Sequence, residues 1–153
     1  MRENPTMHIP INHHLRPLYR TLTVIAGLYV VIFGILGVSR TSGLPFFAQP
    51  GSEHLPWVLG LRANPAFAYL SILAGLVLIV GAVVGRNVYF YLGMAGGLAF
   101  LVAGLAMLAL LETSLNFLGF SMTNCIVSFV IGLVVFAGGL FGRVGPPDET
   151  KYA

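Results

Sequence analysis

Charge is what this chain has least of. Only 8% of its 153 residues are charged while 57% are hydrophobic, against roughly 25% charged in soluble domains. A soluble core of this size cannot use so much apolar surface, so lipid must cover it. The eight Lys and Arg set against five Asp and Glu give a net charge of +3, but these residues are too few and too dispersed to make a nucleic-acid surface. Cys125 is the single cysteine, which excludes an intramolecular disulfide, and it sits inside an apolar run. Pumps, proton relays and coupled transporters keep ionisable groups inside the bilayer despite a cost of roughly 2.5–3.5 kcal/mol each. The long apolar runs hold none.

The other missing chemistry is metal and haem ligation. His8, His13, His14 and His54 all lie outside the apolar runs, so a haem held between facing helices is not expected. His13 and His14 are adjacent and lack a carboxylate or cysteine at ligand spacing, which makes a poor metal site. With no nucleophile–base pair or metal set in view, the sequence predicts no catalytic residue, no cofactor and no enzyme. A cleavable signal peptide is not expected either: polar residues precede the first apolar run and no A-x-A-like site follows it.

What remains is apolar length. The stretch Gly75 to Gly104 contains two glycine-spaced apolar runs meeting at Gly85-Arg86-Asn87, and it reads as a transmembrane helical hairpin. The whole chain predicts four spans, at about 22–38, 66–84, 88–111 and 120–141, within a membrane domain of 18–143. Each approaches or exceeds the ~20 residues that cross a bilayer core, and backbone groups in lipid must bond within their own segment, so all four are helices. The first can begin at Leu18 if Arg20 extends its head back to the interface. Residues 1–17 form a polar arm, 39–64 a proline-rich connection and 144–153 a tail. The fold class is therefore all-α, an integral membrane four-helix bundle.

Positive charge orients it. Arg2, Arg16, Arg20, Arg86, Arg143 and Lys151 fall on one side, and only Arg40 and Arg62 on the other. The positive-inside rule then places both termini in the cytoplasm and the long connection outside. Arg86, Arg143 and Trp57 read as interfacial anchors, although Trp57 with Phe46 and Phe47 also suits an outer lid or docking surface.

The two hairpins resemble each other. Arg16, Tyr19, Leu22, Gly27, Leu28 and Gly34 match Arg86, Tyr89, Leu92, Gly97, Leu98 and Gly104 at an offset of 70. Gly75-Leu76-Val77, Gly81 and Gly85-Arg86 match Gly132-Leu133-Val134, Gly138 and Gly142-Arg143 at an offset of 57. Each unit re-enters on the same side, so the expectation is pseudo-two-fold symmetry about the membrane normal. Gly81/Gly85, Gly93/Gly97 and Gly138/Gly142 make G-x-x-x-G faces, which let backbones approach where lipid supplies no hydrophobic drive. Spacing alone leaves open whether they close within one chain or against another subunit.

Two polar clusters complete the reading. Asn116 follows Thr113 and Ser114 before the fourth span, whereas Asn124 and Ser128 share a face in its first turns. They suit an interhelical polar contact or a ligand site. Glu112, at the end of the third span, reads as a solvated helix-end charge.

Leu61-Arg62-Ala63-Asn64-Pro65 before the second span, G-x-x-x-G-R after it and Leu115-Asn116-Phe117-Leu118-Gly119 before the fourth resemble the small four-pass bacterial membrane proteins of domain of unknown function four-three-eight-three, frequent in actinobacteria. The resemblance covers roughly Leu18 to Arg143. It implies a four-helix protein of a bacterial plasma membrane and carries over no catalytic residue. The functional expectation is an accessory or scaffolding subunit of a larger membrane complex, partnered by lipid and by another membrane protein or a second copy. The alternative is a small-molecule or lipid carrier with its site between the hairpins.

Overall fold

The structure, a computed structural model, describes residues 14–144. The chain folds as four helices, α1 (Arg16–Arg40), α2 (Pro65–Val84), α3 (Arg86–Leu110) and α4 (Met122–Leu140). All four are long and apolar enough to cross a membrane. Two short strands, β1 (Trp57–Val58) and β2 (Leu61–Arg62), pair antiparallel in the connection before α2. α1 packs along α2 and α3 along α4, while α2 meets α3 and α1 meets α4 over shorter stretches.

The distribution of residue types is that of a protein in lipid. Large apolar side chains point outward, among them Ile25, Ile32, Leu73, Val80, Leu98, Leu105, Ile126 and Leu133. Small and polar residues point inward, because helix association in a bilayer depends on close backbone contact. In the first hairpin a Cβ on Gly75 would stand 2.7 Å from the Gly27 carbonyl oxygen; in the second, a Cβ on Gly132 would stand 3.0 Å from that of Gly97. Further along, Gly34 abuts Ala68 and Ile72, and Gly104 abuts Cys125 and Phe129. Every residue of the second set lies 70 or 57 positions after its counterpart in the first.

The helix ends explain the boundaries. Asn64 caps α2 by accepting from the Phe67 N–H at 2.8 Å, and Pro65 follows where its missing donor costs nothing. Ser121 caps α4 from the equivalent position. That cap moves the start of the fourth helix from 120 to Met122. Gly85, at φ +69, ends α2 and turns the chain at once into α3. The expected turn Gly85-Arg86-Asn87 is thus one residue long, and Arg86 and Asn87 belong to α3.

The first helix also exceeds its expected 22–38. Arg20 donates from Nε and Nη2 to the Ala82 carbonyl at 2.9 and 2.6 Å, and from Nη2 to Val83 at 3.2 Å. Arg16 donates from Nε to the Gly142 carbonyl at 3.0 Å. Both guanidiniums therefore satisfy carbonyls left open at the C-terminal ends of α2 and α4, favoured also by the helix dipole. This binding lets α1 start at Arg16, two residues into the expected arm. Residues 1–13 and 145–153, with His8, His13 and Lys151, lie outside the described part. Replacing Arg20 with methionine is expected to lower the thermal midpoint by several degrees, about 1–2 kcal/mol for charge-assisted bonds. Lysine should recover only part of this, since it lacks the fork that reaches two carbonyls; full recovery by lysine would show that charge alone matters.

The connection 41–64 is a cap on the bundle, not a loose loop. Val58, Leu61 and Ala63 bury against Phe33 of α1. The Asn124 side chain clamps β2 by accepting from the Arg62 N–H at 2.9 Å and donating to the Arg62 carbonyl at 2.7 Å.

Candidate functional site

The helical hairpins do not close fully on each other. Between them lies a cavity of about 160 Å³ with an almost wholly apolar lining. All four helices contribute to it, and Leu61, Leu118 and Phe120 roof it on the side of the connection. On the opposite side the cluster of Val30, Leu78, Ile131 and Val135 floors it. The walls on α4 run from Asn124 to Ile131, eight residues with a rise of ~10 Å. The cavity thus occupies the half of the bundle nearer the cap.

Its few polar members are already engaged. Ser71 donates to its own helix at Phe67, 2.7 Å, and Ser128 donates across to the Phe100 carbonyl of α3 at 2.7 Å. Asn124 is spent on Arg62 and on the Ser121 hydroxyl at 2.7 Å. Among the described residues no buried side-chain polar atom lacks a partner. The hydroxyl and amide donors of the lining, with that of Tyr29 on the Leu59 carbonyl, are thus used within the protein, and the lining favours an apolar occupant over a polar one.

The expected polar site of Asn116, Asn124 and Ser128 is therefore not one site. Asn124 and Ser128 line the cavity, as their shared face implied, but Asn116 does not. Asn116 holds the link between α3 and α4: its amide donates to the Leu111 and Phe120 carbonyls at 3.2 and 3.0 Å, and its oxygen accepts from the Phe120 N–H at 2.9 Å. It borders instead a polar groove of about 830 Å³ on the capped end, shared with Arg62 and Glu112. Glu112 is exposed there, consistent with a solvated helix-end charge.

The glycine faces turn inward at every position but Gly85. Gly81 receives Leu92 of α3. Gly93 and Gly97 receive the backbones of Gly139 and Phe136 on α4, and Gly138 and Gly142 form the socket for the buried Tyr89 ring, whose hydroxyl lies 3.2 Å from that of Thr23. Gly85 is a correction: it sits at the corner beyond α2, beneath the Arg20 guanidinium, and belongs to no packing face.

The anchors are exposed at opposite ends. Trp57 lies under the Arg62 guanidinium, 5.4 Å from ring centre to Cζ. Arg86 and Arg143 are both exposed at the far end, where the Arg143 guanidinium stands 6.0 Å from the Phe90 ring. Among the described residues no group of three or more His, Cys, Asp or Glu is placed to hold a metal ion.

Sequence reasoning passed over two features. Asn64 is fully buried and also donates to the Ala48 and Phe117 carbonyls at 2.9 and 2.8 Å. An asparagine immediately before Pro65 was the available signal, since that pair marks a helix start. The cavity itself has a subtler signature, in the size differences between residues 70 or 57 positions apart. Compared with family models, curated proteins and solved structures, the chain matches none.

Proposed function

We propose that this chain is a non-enzymatic multi-pass protein of a bacterial plasma membrane, with both termini cytoplasmic, that holds an apolar ligand between two helical hairpins descended from one ancestral hairpin. The cavity carries this reading. Its volume of about 160 Å³ compares with the ~150 Å³ of an engineered apolar cavity that takes up benzene or xenon. Its lining supports the duplication, for contacts made by one hairpin recur in the other at the two offsets. The four-pass bacterial family that the sequence resembles agrees in span number.

Xenon tests the site directly. Methyl resonances of Ala99 and Ala103 in the purified protein are expected to shift saturably under xenon pressure, while that of Ala95, outside the cavity, stays put. Equal response at all three would remove the proposed site. Orientation has its own test: a C-terminal tag should be protected from reagents added outside intact cells, and labelling there would invert the topology.

An accessory-subunit role loses the glycine faces as its support, because they are filled within the chain. It retains one observation. Phe46, Phe47, Phe117 and Tyr69 are exposed and joined by a chain of ring contacts on the capped end. Such an aromatic cluster suits the lipid–water boundary, and it equally suits a membrane-protein partner. Crosslinking in native membranes separates them: a reproducible heterologous adduct at this cluster supports a partner, and lipid adducts alone support the boundary.

A further inference from the structure

The cavity is built from matched residues of unequal size. Sixteen of its seventeen lining residues fall into eight pairs related by the offsets of 70 and 57, so it lies where the two hairpins face each other about their pseudo-symmetry. Three of these pairs set a large side chain against an alanine. Tyr29, Phe33 and Ile131 on α1 and α4 correspond to Ala99, Ala103 and Ala74 on α3 and α2. At these three positions the bulk lies on α1 and α4 and the alanines on α2 and α3, whereas in Phe67/Asn124 and Phe100/Val30 the larger residue is on α2 or α3, so the opening is local to the alanines.

The exposure of the lining agrees. Leu70 of α2 and Ala99 of α3 are the two exposed lining residues, while Val30, Phe33, Ser128 and Ile131 on the opposite flank are buried. The opening is therefore a slot between α2 and α3. Toward the Gly85 corner it ends where Leu78 packs on Gly96 and Leu92 on Gly81. Both bordering helices are long and apolar enough to cross a membrane, so the slot faces hydrocarbon and not water.

We infer that the occupant is one hydrocarbon chain of a membrane lipid, entering sideways from the leaflet on the side of the connection 41–64. This rests on the proposed apolar site and names its ligand. A lipid chain is the molecule present at such an opening, and the engaged state of Asn124, Ser71 and Ser128 selects for bare hydrocarbon. A cavity of this size admits about six carbons, by comparison with benzene, so the rest of the chain and the headgroup stay in the bilayer. The deep end of the mouth, at Ala74 and Ala99, lies near the middle of α2 and α3, which puts the terminal half of the chain against it.

The test uses the full chain in phosphatidylcholine vesicles doped with phosphatidylcholine bearing a photoactivatable diazirine, placed either near the chain terminus or near the carbonyl. The terminal probe is expected to label the peptides holding Ala74 and Ala99 to Ala103 about threefold above the outward faces of α1 and α4; the enrichment is modest because only dispersion distinguishes the cavity from lipid. The carbonyl-proximal probe should show no such preference. Ala103→Phe, which installs the residue found at the equivalent position 33, should abolish the enrichment. Ala99→Leu, at the exposed rim where extra bulk does not enter the core, should reduce it and guards against misfolding of the first variant. Labelling spread evenly over all outward faces, or enrichment unchanged in Ala99→Leu, would overturn the assignment. If xenon still shifts the Ala99 and Ala103 methyls, the apolar site stands and only the lipid chain falls; if neither probe enters, both readings fall.

Discussion

Gly97→Ala is expected to be among the most damaging single-methyl changes in this protein. The added Cβ would collide with the Phe136 main-chain N, with Phe136 Cα and Cβ at 2.6 Å. Backbone atoms cannot rotate away, so α3 and α4 must separate along their whole crossing. Overpacking costs about 1–3 kcal/mol where side chains can adjust, and contact with backbone belongs at or beyond the upper end. Alanine returns at most ~1 kcal/mol through its better helix propensity. A net loss of about 2 kcal/mol or more should appear as a lowered thermal midpoint in detergent. Gly51→Ala is the control, with nothing within 4 Å of its Cβ, and should stay within ~0.5 kcal/mol. Equal midpoints for the two variants would mean that the crossing relaxes and that close approach does not hold the bundle.

Asn64→Ala should cost more, and by a different route. One buried amide caps α2, ties the connection at Ala48 and ties the second link at Phe117. Loss of the cap contributes about 1 kcal/mol, and each abandoned buried carbonyl about 1–3 kcal/mol. The sum of about 3–7 kcal/mol is expected to loosen both links at that end together. Limited proteolysis should then cut within 41–64 and within 111–121, where the parent protein resists. Asn64→Ser, which keeps an acceptor for the Phe67 N–H and removes both donors, should recover only the cap. Wild-type resistance in Asn64→Ser would show that the two carbonyl bonds contribute nothing.

These two residues mark the difference between what was legible and what was not. The four apolar runs, the glycine spacing and the Arg and Tyr at the run ends are visible because each follows from local composition or from matching at fixed offset. Ser128 reaching another helix was also legible, since a polar side chain on a buried face in lipid has few other options. Asn124 kept the same logic but found its partner in β2, a strand too short for any periodicity to announce. The extension of α1 back to Arg16 was hidden too, since it depends on carbonyls of Ala82 and Gly142 brought near by folding.

By itself, then, the sequence determined that four helices form and that they are apolar enough for a membrane, because length and hydropathy act within one segment. It also marked five of the glycines where helices approach closely, Gly81, Gly93, Gly97, Gly138 and Gly142, because a glycine needs no partner to be recognised as small. Only the tertiary structure decided which glycines meet which backbones, and that Gly85 turns a corner. It alone decided that Asn116 serves a link and Asn124 a clamp. Above all it decided that Ala74, Ala99 and Ala103 border an opening while Tyr29, Phe33 and Ile131 close the other flank. The physical reason is that an opening is a deficit of volume summed over several helices, and no single segment carries that sum.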